Sequence, residues 1–419
     1  MEKKTKRRRS TLPGPVKKLF WAGRLAIGAA AFVPLFLFMV LFNFKVDCQG
    51  YFQGDQELRD VVELMLNGHD VVGAERLNNS QRKIIKTFVH NMENVPATIA
   101  LGSSRVMMIS SEMLGTDSFY NCAITGADMY DLMGTYYLFE QRGAVPQNII
   151  IGVDPWVFGG EDAVDPRSDK ALYAEFLLRD LGIETDFETE DPTMKWEALY
   201  SPSYFQGNLT YFLSAQGEVV KPQAVEGDVM AQDTEVMRSD GSIVYSRSFR
   251  TQPQESVDAA ALEQTGNFFR MEYYEKPEEE RTELFTKFVQ YLQGKGIRVV
   301  FLLSPYHPIA YDNAMENAEH YSGFLATEPL IRRIAKQLDV PVYGSYNPYA
   351  MGLTNADFYD GIHVRSEALS SFFPPLEDIL YNLENDIDVS VNYRKKAPLQ
   401  EDAPKGAQLT QAFTAVADG

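Results

Sequence analysis

Five short apolar runs, separated by stretches with helical spacing, constrain the fold of this chain more than any other feature. The runs are residues 95–101, 119–124, 147–153, 297–303 and 340–344. The fourth run is almost entirely apolar, which is typical of a strand that is covered on both faces. Strands that alternate with helices along a chain form a parallel sheet. The sequence therefore predicts an α/β fold.

The stretches between the runs have apolar residues at spacings of three and four, which predicts helices. These cover residues 56–92, 127–141, 277–293, 329–337 and 366–383, and a further helix begins at 106–110. The alternation stops between about 158 and 275, where the chain becomes acidic, aromatic and broken. That region is an insertion covering one end of the sheet or a separate small domain. Within it, residues 235–245 predict a β-hairpin that turns at Asp240-Gly241.

The N-terminal residues have the composition of a membrane anchor. Residues 1–24 contain nine basic residues and one acidic residue, and residues 25–44 contain no charge. Twenty helical residues extend about 30 Å, the thickness of the hydrocarbon core of a bilayer. A cleaved signal peptide fits less well, because the apolar run is long and residues 43–47 lack a small-residue cleavage site. The positive-inside rule then predicts a cytoplasmic N-terminus and an extracytoplasmic main domain.

These patterns give predicted domain bounds. They are a basic cytoplasmic segment (1–24), a transmembrane helix (25–44), a membrane-proximal helical segment (45–94), an extracytoplasmic domain (95–392, with the insertion) and a disordered tail (393–419). The net charge is −19 although the N-terminus is basic. A nucleic-acid partner is therefore excluded for the main body, since phosphate binding needs clustered cations. The two cysteines, Cys48 and Cys122, provide no disulfide scaffold.

A Gly102-Ser103-Ser104 turn follows the first apolar run and precedes the helix predicted at 106–110. Unpaired N–H groups at the start of a helix provide an oxyanion site beside a hydroxyl. Small residues are also what a tight turn between a strand and a helix requires. The turn therefore indicates a nucleophile only if a base and a carboxylate are found elsewhere.

Asp360-Gly361-Ile362-His363 supplies such a pair, three residues apart on a predicted loop. A serine nucleophile needs an imidazole to take its proton and a carboxylate to orient that imidazole. Together with the serine turn, this tetrapeptide predicts a Ser-His-Asp triad of Ser104, His363 and Asp360.

The three blocks Gly102-Ser103-Ser104, residues 121–127 (Asn-Cys-Ala-Ile-Thr-Gly-Ala) and Asp360-Gly-Ile-His363 resemble those of the SGNH (GDSL-like) hydrolase superfamily. The resemblance implies a flavodoxin-like three-layer α/β/α fold across about residues 95–385. It also implies that Ser104 is the nucleophile, with Ser103 in place of the family's aspartate. Backbone N–H groups of Ser104 and Gly126 would form the oxyanion hole, and Asp360 and His363 would match the family's Asp-x-x-His.

One block departs from the family pattern. Its Gly-x-Asn-Asp falls on Gly152-Val153-Asp154-Pro155, so that Asp154 stands where an amide normally donates to the oxyanion. An ionised carboxylate cannot donate, and the donor is then missing, replaced by another group, or a protonated acid. Arg105, beside the nucleophile, is expected to recognise an anionic substrate or to be a surface residue.

The serine block, the single predicted span and the missing asparagine resemble a cell-envelope branch of this superfamily. That branch contains the D-alanyl-lipoteichoic acid transfer proteins and the alginate O-acetylation proteins. The resemblance implies a membrane-anchored O-acyltransferase that works with a multipass membrane-bound O-acyltransferase on an envelope polysaccharide or teichoic acid, and that needs neither a metal nor an organic cofactor. The alternatives are a carbohydrate esterase of the same chemistry and a non-catalytic polymer-binding subunit with a degraded site.

Overall fold

The computed structural model describes residues 14–48, 51–52, 54–74, 81–160, 168–185, 194–214, 221–266, 268–271 and 274–389. The chain forms two compact units. Residues 1–55 and 190–220 belong to the first unit, and residues 56–189 and 221–419 belong to the second. The predictions for residues 1–13 of the basic segment and for the tail at 393–419 lie outside the described residues.

The strands, in chain order, are β1 (Val71–Val72), β2 (Thr98–Leu101), β3 (Phe119–Asn121), β4 (Asn148–Gly152), β5 (Gln223–Ala224), β6 (Val236–Met237), β7 (Ile243–Val244), β8 (Arg298–Leu303) and β9 (Val342–Gly344). The α-helices are α1 (Gly14–Val46), α2 (Gly54–Leu66), α3 (Gln81–Asn91), α4 (Ser111–Leu114), α5 (Met129–Gln141), α6 (Lys170–Phe176), α7 (Met194–Leu199), α8 (Pro202–Ser214), α9 (Arg247–Arg250), α10 (Gln254–Gln264), α11 (Glu279–Gly294), α12 (Pro308–Glu316), α13 (Ser322–Leu338), α14 (Ser366–Ser370) and α15 (Leu376–Glu384).

A parallel sheet with the order β3-β2-β4-β8-β9 forms the centre of the second unit. Its register places Ile99 of β2 between Tyr120 of β3 and Ile149 of β4. Helices lie on both sides of the sheet, which makes a three-layer α/β fold and confirms the five predicted strands. The strands could be predicted because both of their faces are buried, and the residues of β2 and β4 are accordingly buried without alternation.

The order of the strands reverses between β2 and β4. The chain moves outward from β2 to β3 in one direction, and from β4 through β8 to β9 in the other. In an open parallel sheet, such a reversal leaves a crevice at the carboxyl ends of the two central strands, where ligands bind. The serine turn follows β2 and Asp154 follows β4, so both lie at this crevice.

A small antiparallel sheet, β5-β1-β6-β7, contains the predicted hairpin. Val236 pairs with Val244 and Met237 with Ile243, and the turn runs through Asp240 and Gly241. The hairpin is therefore confirmed. The backbone N–H of Asn121, at the end of β3, donates to the Asp240 carbonyl oxygen at 2.7 Å. This part of the predicted insertion thus lies against the edge of the parallel sheet.

Four predicted helices differ from the observed ones, and the helix predicted over 329–337 begins earlier, at Ser322. The helix predicted over 56–92 is divided into α2 and α3 by β1, and the helix predicted over 366–383 is divided into α14 and α15 at Pro374-Pro375, because proline cannot continue a helix. The helix predicted to start at 106–110 is wrong, since Ser104–Val106 is one 3₁₀ turn. Asn121 Nδ2 donates to the carbonyls of Val106 and Ile109, both at 2.9 Å, and the Val106 carbonyl also accepts from the Ile109 N–H at 3.1 Å, so this segment forms tight turns and the next helix begins only at Ser111.

The first unit consists of α1, α7 and α8. Asn43 of α1 is fully buried, and its Nδ2 donates to the Leu199 carbonyl at the end of α7, at 2.9 Å. Asn208 of α8 donates to Asn43 Oδ1 at 3.1 Å. Phe42 contacts the rings of Phe205 and Phe212, with centroids 5.2 and 5.7 Å apart. Residues 190–220 of the predicted insertion therefore belong with α1.

Among the described residues, no helix combines the length and the apolar character that crossing a membrane requires. The span predicted over residues 25–44 remains a prediction.

Candidate active site

The turn that carries Ser104 can form only with glycine at position 102. Gly102 has a φ of +151°, and a Cβ there would lie 2.7 Å from Val106 Cγ2 and 3.0 Å from the Gly152 carbonyl oxygen. The chain can therefore turn sharply at the end of β2, close to β4. Ser103 Oγ accepts a hydrogen bond from the Arg105 N–H at 3.2 Å and caps the 3₁₀ turn. Ser104 is its first residue.

The structure brings together the three residues predicted to form a triad. His363 Nε2 lies 2.9 Å from Ser104 Oγ, and His363 Nδ1 lies 2.8 Å from Asp360 Oδ2. Because an ionised carboxylate only accepts, Nδ1 carries the proton and Nε2 accepts from the serine hydroxyl. Ser104 follows β2, whereas Asp360 and His363 lie in the loop between β9 and α14. The fold thus joins residues 259 positions apart.

Asp360 is buried and held in its ionised form. Burial acts to raise the pKa of this carboxyl, but the charge and hydrogen bond of His363 and two backbone N–H groups outweigh burial and lower the pKa to about 2. Those N–H groups belong to Ile362 and His363, and they donate to Oδ1 at 2.8 and 2.9 Å. Asp360 can therefore orient the imidazole and stabilise an imidazolium.

The loop that carries His363 is held from several sides. Tyr359 N–H donates to the His363 carbonyl at 2.9 Å, and His307 N–H donates to the Gly361 carbonyl at 3.1 Å. A Cβ at position 361 would overlap the end of the Gln264 side chain and lie 3.2 Å from Ala261 Cα, so α10 packs closely against this loop. Since α10 lies in the predicted insertion, the insertion supports the loop that carries Asp360 and His363.

Arg105 and Asp154 form a buried ion pair close to the turn that carries Ser104. Arg105 Nη1 donates to Asp154 Oδ1 at 2.9 Å, and the two side chains are 0% and 5% exposed. Burial raises the pKa of Asp154, while the Arg105 charge and the Ser103 hydroxyl oppose this rise. Asp154 Oδ1 accepts from the guanidinium, so this oxygen is not the oxyanion donor that an asparagine would provide. The expectation that Arg105 is a surface residue is wrong.

Two backbone N–H groups at the crevice are free to donate. Neither Ser104 N–H nor Gly126 N–H has an acceptor among the described residues. Gly126 lies in the turn after β3 with a φ of +65°. The Ile124 N–H donates to the Gly102 carbonyl at 2.9 Å and thereby ties this turn to the serine turn. The oxyanion hole of Ser104 and Gly126 remains a prediction, and neither of its donors is paired with another residue that the structure describes.

Tyr245 is a site residue that the sequence did not indicate. Its ring lies 5.7 Å from the His363 ring, between centroids, and its hydroxyl is 3.5 Å from the Ser104 carbonyl oxygen. Phe249 and Tyr359 contact it at 5.2 and 5.7 Å. Burial raises the pKa of Tyr245 well above its ordinary value, so it stays protonated. Tyr245 directly follows β7, but nothing in the hairpin pattern shows that this strand ends at the base.

In the part of the chain that the structure describes, no three His, Cys, Asp or Glu side chains are placed to hold a metal ion. The prediction that no metal is needed stays a prediction.

The sequence matches no protein-family model and no curated protein.

Proposed function

We propose that this chain is an extracytoplasmic serine O-acyltransferase of the SGNH type. The observation that carries the proposal is the continuous set of hydrogen bonds from Asp360 through His363 to Ser104 Oγ, at 2.8 and 2.9 Å. The strand order supports a flavodoxin-like arrangement, because the strands of the parallel sheet, numbered along the chain, follow the order 2-1-3-4-5. The triad lies at the crevice where that order reverses.

The proposed reaction has two halves. Ser104 Oγ attacks the carbonyl carbon of an activated acyl donor while its proton moves to His363 Nε2. The tetrahedral intermediate collapses, the bond to the leaving group breaks, and His363 returns the proton to that group. A hydroxyl of the acceptor then gives its proton to His363 and attacks the acyl-serine, the bond from the acyl carbon to Ser104 Oγ breaks, and His363 returns the proton to Oγ. Asp360 stays ionised throughout.

The oxyanion is stabilised by the N–H groups of Ser104 and Gly126 in this proposal. Losing one side-chain donor of an oxyanion hole typically lowers the rate by about 10²–10³-fold. Because Asp154 Oδ1 accepts from Arg105, the site lacks the amide of the family's third block. The proposed enzyme therefore depends on backbone donors and on the placement of the triad.

The location and partners of the enzyme are proposed from the resemblance and from the sequence. The apolar residues 25–44 anchor the chain, a multipass membrane-bound O-acyltransferase supplies the acyl group, and an envelope polysaccharide or teichoic acid accepts it. The Tyr245 ring lies beside His363 and Phe249 packs against Tyr245, and these aromatic rings suit the apolar face of a sugar acceptor.

The test is acylation of the purified full-length chain in detergent micelles with p-nitrophenyl acetate. Mass spectrometry of tryptic peptides should find an acetyl group on Ser104, and Ser104→Ala should abolish the adduct. Ser103→Ala is the matched control, because the neighbouring serine hydroxyl caps the 3₁₀ turn and interacts with Asp154, whereas the hydroxyl that contacts His363 belongs to Ser104. Absence of an adduct in the wild type, or its persistence in Ser104→Ala, would overturn the proposal. Turnover that is faster with a glycan than with water distinguishes a transferase from an esterase.

A further inference from the structure

All three guanidinium nitrogens of Arg105 donate to acceptors within the protein. Its Nε donates to the Ile362 carbonyl at 3.2 Å, and Nη1 donates to Asp154 Oδ1 at 2.9 Å. Its Nη2 donates to the carbonyls of Ser304 and Pro305. The guanidinium also lies over the Tyr306 ring, 3.7 Å from its centroid. The Arg105 side chain is 0% exposed, so an anionic substrate could not reach its guanidinium.

The acceptors of Arg105 come from three parts of the chain. Asp154 lies two residues after β4, Ser304 directly follows β8, and Ile362 lies in the loop between β9 and α14. Arg105 itself is in the turn after β2. One side chain therefore joins the nucleophile's turn to two strand ends and to the loop of the base. A planar guanidinium with five donors can make such a set of bonds, whereas a lysine has one nitrogen to do so.

The contact with Ile362 bears directly on the base. Ile362 N–H donates to Asp360 Oδ1, and the Ile362 carbonyl accepts from Arg105, so this residue is held on both sides. The next peptide plane contains that carbonyl and the nitrogen of His363. Fixing the carbonyl therefore fixes the backbone from which the imidazole extends towards Ser104.

We propose that Arg105 is a positioning residue that keeps His363 Nε2 within hydrogen-bond distance of Ser104 Oγ. The Asp154 carboxylate compensates the buried positive charge of Arg105. An asparagine is neutral and could not do so, which explains why the third block carries a carboxylate here. The inference rests on the proposed function, since the position of His363 matters only if it takes the proton of Ser104.

The experiment compares Arg105→Lys with Arg82→Lys in the full-length chain, using p-nitrophenyl acetate as the substrate. Arg82 pairs with the buried Asp131 through two hydrogen bonds of 2.6 Å. Arg82→Lys therefore also weakens the bonds of an arginine to a buried aspartate, but away from Ser104 and His363. We expect Arg105→Lys to lower kcat by about 10²-fold with KM nearly unchanged, the effect of a small displacement of a catalytic group. The midpoint of the pH profile should stay in place while its plateau falls. Arg82→Lys should keep the wild-type kcat even where its Tm falls.

A second variant tests the same contact by rescue. Adding guanidinium ion to Arg105→Ala should raise kcat at least tenfold, whereas urea, a neutral molecule of the same shape, should not. A wild-type kcat in Arg105→Lys, or a raised KM with unchanged kcat, overturns the inference and leaves the proposed function standing. A wild type that forms no adduct on Ser104 overturns the proposed function, and the inference falls with it.

Discussion

At the scale of single residues, the charge of Asp360 is coupled to the stability of the fold. Its carboxyl has a pKa of about 2, below its ordinary value of 3.8, so folding favours the ionised form. A lowered pKa stabilises the folded state fully above the ordinary value, and this contribution is lost as the pH falls through the folded value. The difference of nearly two pH units corresponds to about 2 kcal/mol.

Replacing Asp360 with asparagine should remove that dependence. In urea unfolding of the full-length chain, the stability difference between the wild type and Asp360→Asn should decrease by about 2 kcal/mol as the pH falls from above 4 towards 2. Asp233→Asn is the control, since the Asp233 side chain is 74% exposed in an ion pair with Arg247. The difference in unfolding free energy between the wild type and Asp233→Asn should change less over the same pH range. A stability difference that stays constant over this range would refute the coupling.

The triad was predictable from the sequence because its members lie in short local motifs. Ser104 stands in a glycine-serine turn after an apolar strand, and Asp360 and His363 are three positions apart. The partners of Arg105 were not predictable in this way. Its Nε bonds to a backbone carbonyl 257 positions away, and a carbonyl is carried by every residue type. The burial of Arg105 could therefore be recognised only in the folded structure, where the ends of the strands surround it.

At the scale of elements, the β6–β7 hairpin fits against β3 through its turn. Gly241 has a φ of +78°, and a Cβ there would overlap the Asn121 carbonyl oxygen and lie 3.0 Å from the Tyr120 ring. Tyr245 directly follows β7. The position of the hairpin against β3 therefore also sets the position of the Tyr245 ring, which contacts His363.

Gly241→Ala should therefore destabilise the chain by more than the cost of placing an alanine in the left-handed backbone conformation. Gly143→Ala is the matched control, because Gly143 has a φ of +72° with no atom within 4 Å of its Cβ position. The left-handed conformation alone costs about 1–2 kcal/mol. We expect at least twice that loss for Gly241→Ala, measured by urea unfolding, together with slower acylation of Ser104. Equal losses in the two variants would mean that the hairpin shifts freely.

The elements of the sheet were predicted better than the helices around it. Strands buried on both faces have continuous apolar runs, and all five were found from this signal. The helix predicted to start at 106–110 is wrong, since this segment forms tight turns in which Asn121, in a neighbouring strand, donates to the carbonyls of Val106 and Ile109. An amide on another strand is not part of the local pattern on which a helix prediction depends.

At the scale of the whole molecule, the two units are made from alternating parts of one chain. The first unit combines α1 with α7 and α8, which come more than 140 residues later. A fragment of residues 56–389 would therefore lack α1 and expose the rings of Phe205 and Phe212 that contact Phe42. Asn208 would also lose its hydrogen bond to Asn43.

We expect that fragment to associate in solution. Replacing residues 190–220 in it by a Gly-Ser linker of the same length should restore a monomer with a cooperative unfolding transition. Size-exclusion chromatography and far-UV circular dichroism of both fragments test this expectation. If both fragments are monomeric, exposure of the α8 rings that contact α1 does not cause association, and the prediction is wrong.

The same interleaving changes what a protease can do to this chain. A single cut between residues 48 and 54 would break the covalent path from α1 to the sheet, but α1 would still be held by α7 and α8 through Asn43, Asp47 and Phe42. Those helices are joined to the sheet from both of their ends. Separation of the second unit from α1 would therefore require further cuts on both sides of residues 190–220, and one nick would leave the molecule assembled.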